Sequence, residues 1–216
     1  MTNTLIRSDG TRLVYDRLKG QHDISKPGLV FLCGFGSDKE GSKALFLESH
    51  ARQTGQSFVR FDYFGHGGSD GDFKDGTISR WAQDTIAVID ELTEGPQILI
   101  GSSMGGWLML LAALARKDRI AGLIGIAAAP DFTQRLQWTK LTPQQQKTVM
   151  EEGLVQVPSN QIRGPAEQPQ TRKVLELVQE AQVWLLPRIE MMELQQVSVL
   201  AQVSESTQKK KKELQV

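Results

Sequence analysis

The run from Gln97 to Leu108 constrains the fold more than any other part of the sequence. It places the pentapeptide Gly-Ser-Ser-Met-Gly, residues 101–105, between a short apolar strand pattern and an unbroken apolar helix pattern. A tight turn from strand to helix brings the two elements so close that only small residues fit two positions before and two positions after its centre. Ser103 stands at that centre. The pattern therefore predicts that Ser103 projects its hydroxyl above the edge of a sheet, where it is our candidate nucleophile.

The residue after Ser103 has a predicted role of its own. Met104 is expected to begin the helix, so its backbone N–H has no partner within the helix. That N–H would point to the place where an acyl oxyanion forms, and the helix dipole would reinforce it. The sequence thus predicts one donor of an oxyanion hole beside the nucleophile.

Buried strand patterns alternate with helix patterns over the first 126 residues. The predicted strands are an antiparallel one at residues 12–18 and parallel ones at 29–33, 58–62, 97–100 and 120–126, and the predicted helices are at 43–53, 79–92 and 107–115. Strands that alternate with helices at this spacing form a parallel sheet with right-handed crossovers. We therefore predict an α/β fold, a three-layer sandwich whose functional loops lie at the carboxyl ends of the strands.

Three segments together resemble the α/β-hydrolase superfamily, and within it the branch of palmitoyl-protein thioesterases and acyl-glucuronide esterases with its bacterial relatives. They are Cys33-Gly34-Phe35-Gly36-Ser37 with Lys43-Ala44-Leu45, Arg60-Phe61-Asp62-Tyr63 with the following Gly65, Gly67 and Ser69-Asp70-Gly71, and the stretch from Gly95 to Met109. The resemblance covers about residues 12–160. It implies that Ser103 attacks an acyl carbonyl and that the backbone N–H groups of Phe35 and Met104 form the oxyanion hole. The loop after the strand that ends at Cys33 is also where the second donor is expected in such a fold.

The general base is the point at which the sequence departs from this family. A serine hydroxyl needs a base, and in this fold the chain order is Ser, then Asp or Glu, then His. No histidine follows Ser103, and Asp118 and Asp131 are the only later aspartates. Asp131 is an alternative acid, but a helix N-cap is its commoner use.

The three histidines all precede the candidate nucleophile. His22 is predicted to be a surface side chain in a polar turn, and His50 a structural residue of a helix. His66 is the one substitute base, because its glycine-rich loop follows a parallel strand. Its Gly-His-Gly-Gly-Ser segment nevertheless resembles a structural turn seen in many esterases of this fold, and that is its commoner use.

Residues 1–160 are interpreted as the hydrolase core, with a lid or substrate cap at about residues 132–158. An apolar wall there would favour an alkyl or aryl acyl chain; ordinary packing on the sheet is the alternative. Residues 161–216 read as an atypical helical segment, with helices at 171–186 and 189–203 and a Lys-rich tail. The last two strands of the family are expected to be missing or replaced by helices there, as in a truncated or frameshifted product or a chain whose end has diverged.

Composition sets further expectations. The formal net charge is zero, which gives no reason to expect nucleic acid or an anionic membrane as a partner, and Lys209–Lys212 is expected to be a solvated tail. Cys33 is the single cysteine and is expected to be a buried small hydrophobe in a reducing compartment. No signal peptide or membrane span is recognised, so the chain is expected to be cytoplasmic. No cofactor and no metal are expected.

Three functions remain open at this point. The first is a serine hydrolase acting on a small acyl ester or thioester, or on an acylated protein. The second is a catalytically weak relative that binds acyl ligands or protein partners. The third is an inactive product whose incomplete sheet associates through its apolar edge.

Overall fold

A computed structural model describes residues 3–20, 26–130, 138–152 and 155 of the 216-residue chain. Its strands are β1 (Asn3–Ile6), β2 (Arg12–Leu18), β3 (Gly28–Leu32), β4 (Phe58–Phe61), β5 (Gln97–Ser102) and β6 (Ile120–Ile126). Its helices are α1 (Ser42–Thr54), α2 (Ile78–Leu92), α3 (Met104–Ala115) and α4 (Pro143–Glu152), with short 3₁₀ turns at Phe73–Asp75, Lys117–Arg119 and Trp138–Lys140.

The six strands form one mixed, mostly parallel sheet in the order β1-β2-β4-β3-β5-β6. The pairs β4–β3, β3–β5 and β5–β6 are parallel, whereas β1 and β2 are antiparallel to their neighbours. The central strand β3 is buried along its whole length. A strand that is covered on both faces is continuously apolar, which is why its Gly-Leu-Val-Phe-Leu sequence does not alternate.

The direction of the crossovers divides the helices between the two faces of the sheet. The chain moves from β3 to β4 through α1, then turns back across β3 to β5 through α2, and continues in that direction to β6 through α3. Because parallel crossovers are right-handed, this reversal puts α1 on the face opposite to α2 and α3. In agreement, α2 and α3 pack against each other. The adjacent carboxyl ends of β3 and β5 therefore form the crevice where open α/β sheets bind ligands.

Helix α2 shows how the sequence dictates these elements. It begins after Thr77, whose hydroxyl accepts the Arg80 N–H, and its inner side buries Trp81, Ile89 and Leu92. These apolar residues recur at helical spacing, so the predicted helix at 79–92 is confirmed with its start one residue earlier.

The predicted α/β class is confirmed, with differences at the ends of elements. Strand β1 was not predicted, because a four-residue strand at the edge of a sheet carries too little pattern. Strands β3 and β4 end one residue before their predicted ends at Cys33 and Asp62, because the backbone leaves the sheet there and enters the loops that follow each strand. Helix α3 begins at Met104, as expected for the residue after Ser103, and ends at the predicted Ala115.

Of the predicted cap, the structure describes the part that contains α4, in which no residue is fully buried. The predicted helices at 171–186 and 189–203, the Lys-rich tail, His22 and Asp131 lie outside the described residues. Within the described ranges, no helix has both the length and the apolar character needed to cross a bilayer.

Candidate active site

Ser103 occupies a strained turn between β5 and α3. Its backbone has φ 53° and ψ −118°, a conformation that costs a non-glycine residue on the order of 1–3 kcal/mol. Two hydrogen bonds hold the turn in place: the Ser103 N–H donates to the Ile126 carbonyl at 3.0 Å, and the Ala129 N–H donates to the Ser103 carbonyl at 3.0 Å. The segment that ends β6 therefore enforces the strain from the neighbouring strand.

The glycines around Ser103 are required by close backbone approach. A Cβ added at Gly101 would lie 2.4 Å from the Gly105 carbonyl oxygen, and one added at Gly105 would lie 2.1 Å from the Leu32 carbonyl oxygen. Both distances are far shorter than any real contact, and backbone atoms cannot move aside. The sequence argument for small residues at these two positions is thus confirmed in atomic terms.

The hydroxyl of Ser103 does not cap the helix that it precedes. A serine before a helix commonly accepts a backbone N–H from the first turn, but Ser103 makes no such capping hydrogen bond and is exposed. Met104, the first helical residue, is fully buried, and its N–H lies at the positive end of the helix dipole.

The loop after β3 forms a second tight turn beside the elbow, as we call the strand-to-helix turn centred on Ser103. The Ser37 N–H donates to the Gly34 carbonyl at 3.1 Å, and Gly36 in the third position has φ +66°, which is the pattern of a type II turn. A Cβ added at Gly34 would come within 3.4 Å of the Ser103 Cβ. The Gly34–Phe35 peptide therefore lies directly beside Ser103.

His66 is buried, and its ring is hydrogen-bonded to this turn. Its Nε2 accepts the Gly36 N–H at 3.3 Å, and its Nδ1 lies 3.1 Å from the Phe64 carbonyl oxygen. Because a carbonyl can only accept and an N–H can only donate, the ring must be neutral with its proton on Nδ1. Burial lowers the pKa of His66, which favours the same form. Both ring nitrogens are occupied, so the geometry agrees with the structural role and not with the role of substitute base.

Asp62, at the start of the loop after β4, makes a second connection to the loop after β3. Both oxygens of the buried Asp62 carboxylate accept backbone N–H groups, from Lys39 at 2.7 Å and from Gly68 at 2.9 Å. A Cβ at Gly67 would lie 2.2 Å from that carboxylate, so glycine is needed there. The sequence analysis did not identify Asp62 or His66 as supports of the β3 loop, because their partners lie far away along the chain.

Aromatic rings surround the same loop. The ring of Phe35 meets that of Phe73 edge to face at a centroid distance of 4.8 Å, with Trp81 behind them. Phe35 and Phe73 are 38% and 37% exposed, although both are large and apolar. The loop beside Ser103 thus presents an apolar surface that the sequence analysis did not recognise.

The other candidates from the sequence lie in ordinary places. Cys33 is buried, and burial raises the pKa of its thiol far above the usual range, so it is a small hydrophobe as expected. His50 is an exposed residue of α1. Asp118 is exposed in the turn that enters β6, at the amino end of that strand, and therefore at the edge of the sheet opposite to Ser103.

Comparisons with known proteins agree with this fold. A family model described as alpha/beta hydrolase family matches residues 29–204. Human and mouse palmitoyl-protein thioesterase ABHD10, mitochondrial, are 42% and 43% identical over 155 residues, which is 72% of this chain and 49% and 50% of those proteins. The chain spans about half the length of the curated relatives it matches.

Solved structures give the same picture. The structure of mouse alpha/beta hydrolase domain-containing protein 10 matches with a TM-score of 0.66 and 37% identity, covering 84% of this chain and 70% of that one. A protein from Agrobacterium vitis S4 also matches with a TM-score of 0.66, at 34% identity, covering 78% of this chain and 67% of the other. The chain belongs to the α/β hydrolase family.

Proposed function

We propose that this chain is a serine hydrolase that cleaves carboxylic esters or thioesters of acyl substrates through an acyl-enzyme on Ser103. The observation that carries the proposal is the conformation of Ser103, a non-glycine residue with positive φ. Ser103 is exposed at the start of α3, and its hydroxyl makes no capping hydrogen bond to the helix. Strain of this kind persists only where the surrounding structure enforces it, and it clusters at catalytic residues.

In the proposed reaction, the Ser103 Oγ attacks the acyl carbonyl carbon and its proton passes to solvent water. The carbonyl oxygen becomes an oxyanion, which accepts hydrogen bonds from the Phe35 and Met104 N–H groups. The ester or thioester bond then breaks, the alcohol or thiol departs with a proton, and water releases the acid. One such donor contributes about 3–4 kcal/mol to the transition state.

The apolar surface beside the elbow supports the proposed substrate class. Phe35 and Phe73 present aromatic faces next to the loop that would bind the acyl oxygen, and such surfaces favour an alkyl or aryl group. The similarity to relatives named palmitoyl-protein thioesterase agrees with a long acyl chain and with an acylated protein as a substrate.

The lack of a histidine after Ser103 in these 216 residues determines the expected rate. Both nitrogens of His66 are engaged elsewhere. An elbow and an oxyanion hole alone still accelerate acyl transfer about 10³ to 10⁴-fold over water. We expect slow turnover of an activated ester such as p-nitrophenyl butyrate.

Replacing the candidate nucleophile tests the proposal. Ser103→Ala keeps the Cβ and hence the backbone strain, but it removes Oγ, so we expect loss of p-nitrophenyl butyrate hydrolysis and of labelling by a fluorophosphonate probe. Ser102→Ala, one residue earlier on β5, is the matched control and should retain both. Turnover that survives Ser103→Ala would overturn the assignment of the nucleophile.

The occupied nitrogens of His66 also favour a second candidate, a protein that binds acyl ligands without turning them over. In that case the chain binds a fatty acid or acyl thioester while neither labelling nor hydrolysis occurs. Measuring ligand binding by calorimetry beside the labelling assay separates the two functions.

A further inference from the structure

We propose that His66 is a positioning residue that selects the orientation of the Phe35–Gly36 peptide in the loop after β3 and makes that orientation sensitive to pH. The proposal rests on the geometry of this loop and does not depend on the proposed function. Its core is the hydrogen bond from the Gly36 N–H to Nε2 of His66.

The bond acts on the one peptide of the turn that can flip. Type I and type II turns differ mainly by a rotation of about 180° of the central peptide, here the one between Phe35 and Gly36. His66 accepts the N–H of that peptide and so selects the type II orientation, which the positive φ of Gly36 matches. The preceding peptide is fixed as well, because its Gly34 carbonyl accepts the Ser37 N–H and its own N–H, that of Phe35, must point the opposite way.

The ring itself is held firmly enough to act as a reference point. Its Nδ1–H donates to the Phe64 carbonyl, which also accepts the Trp81 indole N–H at 2.9 Å, and the Phe64 N–H donates to the buried Asp84 carboxylate at 2.9 Å. The rings of Tyr63, Phe73 and Trp81 enclose the imidazole edge to face. A rigid support of this kind transmits its position to the loop that it touches.

Protonation reverses the interaction. A proton on Nε2 turns the acceptor into a donor that faces the Gly36 N–H, so the hydrogen bond is lost and the central peptide is free to flip. The pKa of His66 is lowered by burial, so folding favours the neutral ring. Its contribution to stability is complete above about pH 6.5 and is lost as the pH falls through the lower pKa of the folded state.

Other titratable groups lie on the elements around the ring and must be separated from it. They are Asp62 at the end of β4, Cys33 and Asp38 on the β3 loop, the buried Tyr63, and Asp84 on α2 with its partners Arg7 and Arg80. Asp62 is the charged neighbour that acts on His66 itself. All of them remain in a His66 variant, so any change they cause persists there.

Nuclear magnetic resonance of the full chain tests the coupling without reference to activity. We expect the His66 ring nitrogens to report a proton on Nδ1 at pH 8, and the Gly36 amide to shift with the same midpoint as the ring, below pH 6.5. In His66→Gln, which keeps an acceptor near Nε2 but does not titrate, the Gly36 shift should vanish. His50→Gln, on the exposed face of α1, is the matched control and should behave as the wild type.

A proton on Nε2 at pH 8, a Gly36 amide that does not follow the ring, or a Gly36 transition that survives His66→Gln would overturn the proposal. His66→Phe, which lacks an acceptor, should lose the preference for the type II orientation at every pH, so its Gly36 amide should not titrate and should differ in chemical shift from the wild-type amide at pH 8. A wild-type Gly36 shift in His66→Phe at pH 8 contradicts the positioning role.

The two proposals fail in different ways. If wild-type Ser103 is not labelled at all while the Gly36 and His66 resonances titrate together, the serine hydrolase proposal fails and the positioning of the loop stands. If His66→Phe does not fold, the wild-type titration and His66→Gln still decide the outcome.

Discussion

At the scale of single residues, the site stores strain in Ser103. A serine at this position could lower the energy of the helix start by capping it, yet Ser103 neither caps the helix nor adopts an ordinary backbone conformation. The Ile126 carbonyl and the Ala129 N–H impose the turn from outside. The strained turn lowers the stability of the fold, and it leaves the Ser103 hydroxyl without a hydrogen bond to the start of the helix.

Replacement of Ser103 by glycine should release this strain. Glycine adopts positive φ without steric cost, which offsets about 1–3 kcal/mol of strain, while the extra freedom of the unfolded chain costs up to about 1 kcal/mol. We expect Ser103→Gly to raise the free energy of unfolding by about 1 kcal/mol in urea denaturation and to abolish labelling. Ser102→Gly, inside β5, should instead lower it by a similar amount. A Ser103→Gly protein less stable than Ser103→Ala would show that the turn is not strained.

At the scale of elements, the close contact of α3 with β3 builds the elbow. Gly105 allows the first turn of α3 to approach the carbonyl groups of Leu32 and Cys33. The first turn of α3, which contains Met104, therefore lies against the end of β3, where the chain enters the loop with Phe35.

Gly105→Ala should break this contact. Alanine favours a helix over glycine by about 1 kcal/mol, but its methyl group would lie 2.1 Å from a backbone oxygen, and overpacking of this kind costs about 3 kcal/mol. We expect a lower thermal unfolding midpoint together with loss of labelling. The control is Gly122→Ala on β6, where the nearest atom would be 3.6 Å away and no loss is expected. Equal stability of the two variants would contradict the close-approach argument.

How much could be predicted from the sequence depends on how local the signal is. The spacing of Gly101, Ser103 and Gly105 encodes the elbow within five residues, so its place between β5 and α3 was predictable. His66 and Gly36 are 30 positions apart, and the bond between them depends on two loops that meet only in the folded sheet. Strand β1 was missed for a similar reason, because it is defined by its pairing with β2 rather than by its own pattern.

At the scale of the whole molecule, Asp84 joins parts of the fold that are distant in sequence. This fully buried carboxylate pairs with Arg7, which follows β1, and accepts the Phe64 N–H from the loop that carries His66. Burial raises the pKa of Asp84, while these partners oppose the shift. The Asp84 carboxylate on α2 thus connects the edge of the sheet with the loop that carries His66.

Asp84→Ala should destabilise the protein strongly, because it leaves the partly buried Arg7 guanidinium without its counter-ion. Breaking a buried pair in this way costs about 3–5 kcal/mol. Asp90→Ala removes the ion pair with Arg116 from the same helix, but that pair is exposed on both sides, so we expect a cost of at most about 1 kcal/mol. Urea denaturation of both variants measures the difference, and comparable losses would contradict the role of Asp84.

Two hydrogen bonds join Ser103 to the end of β6, so the strained turn at Ser103 can form during synthesis only after that strand has been made. All of the residues of the motif have been synthesised by Gly105, but Ile126 and Ala129 come later, after a full helix. Until they emerge, nothing on that side holds Ser103 at positive φ, and the relaxed backbone is favoured. A nascent chain released before Ile126 would therefore carry the complete pentapeptide and yet present an ordinary serine, and the reactivity proposed for Ser103 would arise only once the neighbouring strand has docked.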